Sequence, residues 1–184
     1  MRAKLYRLVT AAMLAITLLL PATRLSAEPP PPLVATFAVV VTDFGTVTPV
    51  GDPSGPAITL LTMGEQVFGV MTSARCNGCP LENYVGGTIS VSHTSTIDLN
   101  QVSFAFHGNG SDSFTVSKAG YPDLVGTDIV AINGKLATPP GPVLDHGKWT
   151  IPDVGGGNLN GKLVWNGSTL AGELRLEFGL GNLG

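Results

Sequence analysis

Charge is scarce in this chain, and positive charge is scarcest. Charged residues make up 12% of the 184 residues, and the formal net charge is -3. Four of the ten basic residues lie within the first 27 positions, whereas all thirteen acidic residues lie after them. Binding to nucleic acid requires clustered basic residues, as does binding to an anionic membrane surface. The sequence therefore predicts an acidic protein with no nucleic-acid partner.

Long apolar runs are absent after the N-terminal region. The one such run, residues 8–20, follows three basic residues and precedes the small-residue sequence Leu25-Ser26-Ala27. This order is typical of a secretory signal peptide, so we predict cleavage after residue 27 and a secreted or extracytoplasmic location, in a periplasm or at a cell surface. No later run approaches the ~20 apolar residues of a membrane-spanning helix. We expect no transmembrane segment in the mature chain.

The four prolines at residues 29–32 favour a stiff extended spacer over residues 28–32. Residues 33–184 then have a length suited to one folded unit, and no later change in composition marks a boundary. We therefore predict a signal peptide (1–27), a Pro-rich spacer (28–32) and a single all-β domain (33–184).

Cysteine is nearly absent: only Cys76 and Cys79 occur, separated by Asn77 and Gly78. In an oxidising compartment, an Asn-Gly turn brings flanking residues to the separation that a disulfide needs, so we predict a Cys76–Cys79 disulfide on a loop tip. A redox-active pair is disfavoured because the flanking sequence shows no helix. A zinc site would need two further ligands, and the three histidines lack the short paired spacing of zinc modules. We expect no metal and no cofactor.

Helical periodicity is also absent from the mature chain, where apolar residues recur at every second position. Leu174, Leu176 and Phe178, for example, alternate with charged residues. The pattern predicts strands at residues 34–42, 45–50, 58–62, 66–72, 86–93, 101–107, 113–117, 128–132, 148–151, 161–165 and 170–178. About eight to eleven short antiparallel strands indicate an all-β fold, either a β-barrel or a β-sandwich.

Asn-Gly pairs tolerate the positive φ angles of two-residue hairpins and so predict turns. They occur at 77–78, 109–110, 133–134, 160–161 and 166–167. For the last pair, a two-residue hairpin would place Leu163 opposite Leu170. The segment 107–112 also resembles one calcium-binding repeat. Such repeats occur in arrays, however, and a hairpin turn already explains the single copy here.

No residue pattern in the chain specifies a catalytic site. Asp145 and His146 are adjacent, so on a strand they would point to opposite faces, and we interpret them as part of a solvated loop. Asp43, Asp98, Asp123, Asp128 and Asp153 offer no spacing that selects a carboxylate pair for glycoside hydrolysis. The catalytic residues are therefore unknown.

Aromatic residues make up only 7% of the chain. An exposed ring can stack on the apolar face of a sugar, and Tyr121 and Trp149 lie near predicted loops. We predict these two as ligand-binding residues. Trp165 is in phase with Leu163, so we expect it in the core.

One set of motifs resembles a known family. The segment Phe44-Gly45-Thr46-Val47, followed by Asp52-Pro53, Gly55-Pro56 and Gly64-Glu65-Gln66, is similar to the opening of dirigent proteins. The glycine-rich segment 154–157 is similar to a later segment of that family. The resemblance implies an eight-stranded barrel of the allene oxide cyclase type, which holds an apolar small molecule and steers its reaction without oxidising it. It assigns no functional residue.

Three functions remain open. The low charge, the Ser/Thr/Asn/Gly-rich exterior and the missing catalytic motifs favour an exported, non-catalytic domain that binds an extracellular ligand or an envelope component. The alternative is a barrel that binds an apolar small molecule, and the third is a secreted hydrolase. A closed barrel with a cavity of a few hundred Å3 would favour the small-molecule barrel, whereas a solid sandwich core would exclude it.

Overall fold

The computed structural model describes residues 33–136, 140–166 and 168–179, with only the backbone of Asn166. The predicted signal peptide and the Pro-rich spacer lie outside the described residues. One short 3-10 helix, Pro80–Tyr84, follows the third strand. The strands are β1 (Val34–Asp43), β2 (Thr46–Val50), β3 (Ala57–Arg75), β4 (Thr88–Asn100), β5 (Ala105–Ser117), β6 (Leu124–Lys135), β7 (Val143–Ile151), β8 (Gly155–Asn166) and β9 (Thr169–Phe178).

These strands form a closed antiparallel barrel, so the predicted all-β class is confirmed and the barrel is selected over the sandwich. Neighbours in sequence pair from β3 through to β9, and β1 closes the ring by pairing with both β9 and β3. The remaining strand, β2, lies outside this ring of eight. It pairs only with the first part of β3 and extends the sheet beyond the ring. Within the described residues, no helix has the length and apolar character needed to cross a membrane.

Several predicted strands merge into longer ones. The predicted strands 58–62 and 66–72 both belong to the 19-residue strand β3, where Gly64 forms a bulge with a φ of 74°.

The predicted strand 101–107 is wrong in its first half, because β4 continues to Asn100 and a turn follows. Val102 is 77% exposed in that turn.

Three predicted Asn-Gly turns are also wrong. The pairs at 109–110, 133–134 and 160–161 lie inside β5, β6 and β8. Each glycine faces the barrel interior and leaves room for a neighbouring side chain, as Gly134 does for the ring of Phe106. The hairpin between β8 and β9 is present, but its last pair is Asn166 with Thr169, so Leu170 lies opposite Trp165 rather than Leu163.

The interior of the barrel has two halves. In the half near the 3-10 helix, large apolar side chains fill the space, and we call this the sealed half: Phe37, Met71, Leu81, Tyr84, Ile89, Phe114, Val116, Trp149, Ile151 and Leu176. The other half, nearer to β2, contains a cavity, and we call it the cavity half.

Candidate functional site

The cavity half encloses a cavity of about 330 Å3. This volume lies at the lower end of the range of about 300–1,000 Å3 that small-molecule pockets occupy. Most of its lining is apolar and comes from strands all around the barrel: Val39, Val47, Leu60, Val67, Val91, Ile97, Leu99, Phe106, Val130, Ile132, Leu136, Val143, Leu159, Leu163, Trp165, Leu170 and Leu174. A small apolar molecule would therefore meet apolar side chains over most of its surface.

A row of polar side chains crosses the interior where the two halves meet. Glu65 of β3 pairs with His93 of β4, His93 pairs with Asp112 of β5, and Asp112 pairs with Asp128 of β6. Directly paired residues of an antiparallel sheet place their side chains on the same face, so these four project inward side by side. We call these four residues the polar row. Three of them, Glu65, His93 and Asp112, also line the cavity.

The bulge at Gly64 is the reason that Glu65 belongs to this row. Thr62 faces the interior, so strict alternation would next place Gly64 and Gln66 inside. The bulge shifts the pairing between Met63 and Glu65, which brings Glu65 opposite His93. A single extra residue thus puts a carboxyl group, rather than an amide, into the barrel.

Glycine makes room for the other polar side chains. A Cβ atom on Gly110 would lie 2.3 Å from Cε1 of His93, so the imidazole ring occupies the space that a larger residue would fill. Gly161 of β8 lies opposite Asp145 of β7, and a Cβ there would lie 2.9 Å from Oδ2 of Asp145. The Asn-Gly pairs at 109–110 and 160–161, which the sequence predicts as turns, therefore provide space for His93 and Asp145 instead.

His93 and Asp112 form the central contact of the row. Nδ1 of His93 is hydrogen-bonded to Oδ1 of Asp112, and His93 is only 8% exposed. Burial alone lowers the pKa of His93, but the hydrogen bond and the negative charges of Asp112, Glu65 and Asp145 together outweigh it and raise the pKa above its usual value. The imidazole is thus favoured in its charged form inside the barrel.

Asp128 is the most deeply buried carboxyl group of the row, at 4% exposure. Burial, the charge of Asp112, a hydrogen bond with Asp112 and the charge of Asp145 raise its pKa to about 9. Its other oxygen, Oδ1, has no hydrogen-bond partner among the described residues. A carboxyl group with this pKa is protonated at neutral pH and can donate a hydrogen bond.

Asp145 and Glu65 complete the charge of the site. Burial raises the pKa of Asp145 to about 6; the positive charges of His93 and His146 oppose this, and the negative charge of Asp112 adds to it. Burial also raises the pKa of Glu65, with His93 opposing and both Asp145 and Asp112 adding. A carboxyl group with the raised pKa of Asp145 can exchange a proton near neutral pH.

A pair of hydroxyl groups lies next to Glu65 and His93 in the cavity wall. The hydroxyl groups of Thr62 and Ser95 are 2.5 Å apart and hydrogen-bonded to each other, and both residues are buried and line the cavity. They pair directly across β3 and β4, next to Glu65 and His93. The polar surface of the cavity is therefore concentrated on one side, against the polar row.

At the cavity edge, the ring of Phe44 stacks on Trp165, with centroids 5.7 Å apart and planes 19° apart. Both residues line the cavity. Trp165 faces inward, as the sequence predicted. Its indole nitrogen is buried without a hydrogen-bond partner among the described residues, so it is a donor that a bound molecule could engage.

Neither predicted ligand-binding aromatic residue lines the cavity. Tyr121 is 45% exposed, as expected, and packs against Tyr84 with ring centroids 5.5 Å apart. The expected exposure of Trp149 is wrong: this ring is 1% exposed in the sealed half. Its Nε1 donates to the carbonyl oxygen of Glu177 at 3.1 Å, and its ring packs nearly perpendicular to that of Phe178, with centroids 5.0 Å apart. A ligand-binding role for Tyr121 stays a prediction.

Cys76 and Cys79 lie at disulfide distance, with Cα atoms 5.4 Å apart, which confirms the predicted pair. Asn77 and Gly78 between them both have positive φ, as the turn requires. The pair lies in the loop between β3 and the 3-10 helix, with Asn77 and Gly78 exposed and Cys76 fully buried in the core cluster. The short 3-10 helix directly after Cys79 also corrects the expectation that no helix flanks the pair.

The residues of the site were missed because each was judged alone. The prediction of a solvated loop at Asp145 is wrong, because this residue lies in β7 and lines the cavity. The sequence also offers no partner for Asp128, which lies beside Asp112 only through the pairing of β5 with β6. A usable signal exists in β4, where the inward positions read Ile89, Val91, His93, Ser95 and Ile97. Two polar residues in phase with a buried apolar set indicate a polar site inside the fold.

Among the described residues, no three or more His, Cys, Asp or Glu side chains are arranged to hold a metal ion. Comparison of the chain with protein-family models, with curated proteins and with solved structures finds no match. The functional interpretation therefore depends on the cavity and the polar row.

Proposed function

We propose that this protein binds an apolar small molecule inside its barrel. The observation that carries the proposal is the cavity of about 330 Å3, lined by apolar side chains and bounded on one side by the polar row. A pocket that is mostly apolar, with a few converging polar groups, is the usual form of a small-molecule site. The apolar wall would supply affinity at roughly 25 cal/mol per Å2 of buried apolar surface, and the polar row would orient the ligand.

This proposal is favoured over the surface-binding module that the sequence first indicated. That module was predicted from the low charge, the polar exterior and the missing catalytic motifs, and none of these features requires an internal cavity such as the one present here. A barrel that holds an apolar small molecule is also what the resemblance to dirigent proteins implies. Export from the cytoplasm and a reaction on the bound molecule stay predictions.

Binding of an uncharged apolar fluorophore, 1-N-phenylnaphthylamine, tests the proposal. Ile97 lines the cavity, so Ile97→Trp would fill part of it. Ile129 is 70% exposed on the outer face, so Ile129→Trp makes the same chemical change outside the barrel. We expect the natural protein and Ile129→Trp to bind the fluorophore equally, and Ile97→Trp to bind it at least about tenfold more weakly.

Both variants must show the circular dichroism spectrum of the natural protein. Equal binding by Ile97→Trp and Ile129→Trp would place the fluorophore on the outer surface and refute the proposal. Absence of any binding to the natural protein at saturating fluorophore would refute it as well.

A further inference from the structure

The polar side of the cavity has more hydrogen-bond acceptors than donors. Three carboxyl groups that act on His93 line it, namely Glu65, Asp112 and Asp145. The donors there are His93 and the hydroxyl pair of Thr62 and Ser95. Ionised carboxylates only accept hydrogen bonds. His93 can donate through two ring nitrogens, and Nδ1 is already engaged with Asp112. No lysine or arginine of the described chain lines the cavity.

The negative charge of this region exceeds its positive charge. His93 balances one carboxylate, Asp112, through their direct hydrogen bond. Glu65 and Asp145 then remain without a basic partner in the cavity lining. His146, which lowers the pKa of Asp145, is exposed on the outer face and hydrogen-bonded to Asn160. Burying carboxylates without a counter-charge is costly, so a ligand that brings positive charge would be favoured here.

A second observation also indicates a ligand. Asp128 is 4% exposed in the polar row, and its Oδ1 has no hydrogen-bond partner among the described residues. Buried polar atoms in proteins are nearly always paired, so this unpaired oxygen indicates a missing hydrogen-bond partner. The neighbour of Asp128 in the row, Asp112, lines the cavity.

We propose that the ligand is an apolar molecule with a protonated amine, whose ammonium group lies against Glu65, Asp112 and Asp145 while its apolar body extends toward Ile97 and Phe106. This inference rests on the proposed function and names its ligand class. An ammonium group has three donors and no acceptor, which complements an acceptor-rich wall. An alcohol adds no charge, and a carboxylate would add a further negative group beside Glu65, Asp112 and Asp145.

The affinity for such a ligand depends on pH through groups on several strands. Those facing Asp145 and Glu65 are His93 on β4, Asp112 on β5, Asp128 on β6 and, from the outer face of β7, His146. Asp145 and Glu65 lose their charge as the pH falls through their raised pKa values. Affinity for an ammonium ligand therefore falls toward acid pH, whereas affinity for an uncharged ligand stays equal or rises.

Three eight-carbon probes that differ only in the head group test the inference: octylammonium, octanol and octanoate. Each is titrated against bound 1-N-phenylnaphthylamine at pH 7.5 and pH 4.5. At pH 7.5 we expect octylammonium to bind about tenfold more tightly than octanol, and octanoate to bind more weakly than octanol. At pH 4.5 the preference for octylammonium over octanol should shrink to within about twofold.

Glu65→Gln/Asp145→Asn removes the two unbalanced carboxylates, and it should lower octylammonium affinity about tenfold at pH 7.5 while octanol affinity changes less than about twofold. The matched control, Asp123→Asn/Asp153→Asn, removes two exposed acids away from the cavity and should change neither affinity.

Equal affinities for octylammonium and octanol at pH 7.5 would overturn the inference and leave the proposed function standing. Equal loss of octylammonium affinity in the control double variant would also overturn it, because net charge rather than the cavity would then explain the preference. If the natural protein binds neither the fluorophore nor any of the three probes, the proposed function fails and the inference fails with it.

Discussion

The two halves of the barrel interior are built by the same strands and yet differ in what fills them. In the sealed half, Phe37, Trp149 and Leu176 are within 1% of complete burial. In the cavity half, two consecutive inward positions of β5 are glycines, Gly108 and Gly110, so no side chain fills the interior between Phe106 and Asp112 on this strand. Strand alternation alone does not decide between a packed core and a cavity. The volume at each inward position decides it, and the polar row marks the boundary.

Two leucines on β9 provide the strongest test of the difference in packing between the two halves. Leu174 and Leu176 both face inward from β9, but Leu174 lines the cavity and Leu176 is fully buried in the sealed half. Leu176→Ala should cost about 4 kcal/mol of unfolding free energy, because it removes packed atoms and leaves a void. Leu174→Ala should cost about 1–2 kcal/mol, because its neighbours on the cavity side are already missing.

Urea denaturation of the two variants measures both values. Equal losses of stability would show that the two halves are packed alike, and the distinction between them would fall.

The strand pattern predicted most of this architecture, because alternation depends only on local burial. Leu174 and Leu176 alternate with exposed Glu173 and Arg175, as the sequence indicated. Length was harder to predict: in β3 the bulge at Gly64 looked like a break between two strands. Closure of the barrel is a long-range property, since β1 must meet both β3 and β9, and no local pattern encodes it.

The site was not predictable by the same local reasoning. Glu65, His93, Asp112 and Asp128 lie on four different strands, and only the register of three ladders makes them neighbours. Asn-Gly pairs added to the difficulty, because their chemistry suits hairpin turns, whereas in β5 the glycine provides space for His93. The polar residues in phase with buried apolar ones are the part that sequence alone could have indicated.

The pH dependence of stability tests the electrostatic character of the boundary between the halves. The pKa values of Glu65, His93, Asp128 and Asp145 are all raised in the folded protein. A raised pKa means that the fold retains protons that the unfolded chain releases, so stability falls as the pH rises. For Asp128 the window runs from about pH 4, its ordinary value, to about pH 9.

We therefore expect the natural protein to lose roughly 3 kcal/mol between pH 5 and pH 7 through Asp128, and Asp128→Asn to lose much less. Urea denaturation at each pH measures the difference. The lowered pKa values of exposed Asp52 and Glu82 act in the opposite sense, but only as the pH falls below their ordinary values. Stability that rises from pH 5 to pH 7 in the natural protein would contradict the prediction.

A smaller effect is expected where glycine makes space for the polar row. In Gly110→Ala, the new Cβ would lie 2.3 Å from the ring of His93, so the imidazole must move away from Asp112. We expect a loss of about 2 kcal/mol, in the range of overpacked cores. The matched control, Gly141→Ala, meets only Lys135 at ordinary contact distance and should change stability by less than about 0.5 kcal/mol.

Thermal denaturation of both variants provides the measurement, and histidine proton resonances report whether the His93 ring has moved. An unchanged His93 resonance and unchanged stability in Gly110→Ala would mean that the ring does not depend on this space.

The central claim is that the cavity half, and not the sealed half or the outer face, receives an apolar molecule. Methyl NMR spectra of the protein titrated with octylammonium test it most directly, because isoleucine and leucine methyl groups report from every region. We expect intermolecular contacts and shifts at Ile97, Leu163 and Leu174, and none at Ile89 or at exposed Ile129. Shifts confined to Ile129 and the outer face, or an unchanged spectrum at saturating octylammonium, would contradict it.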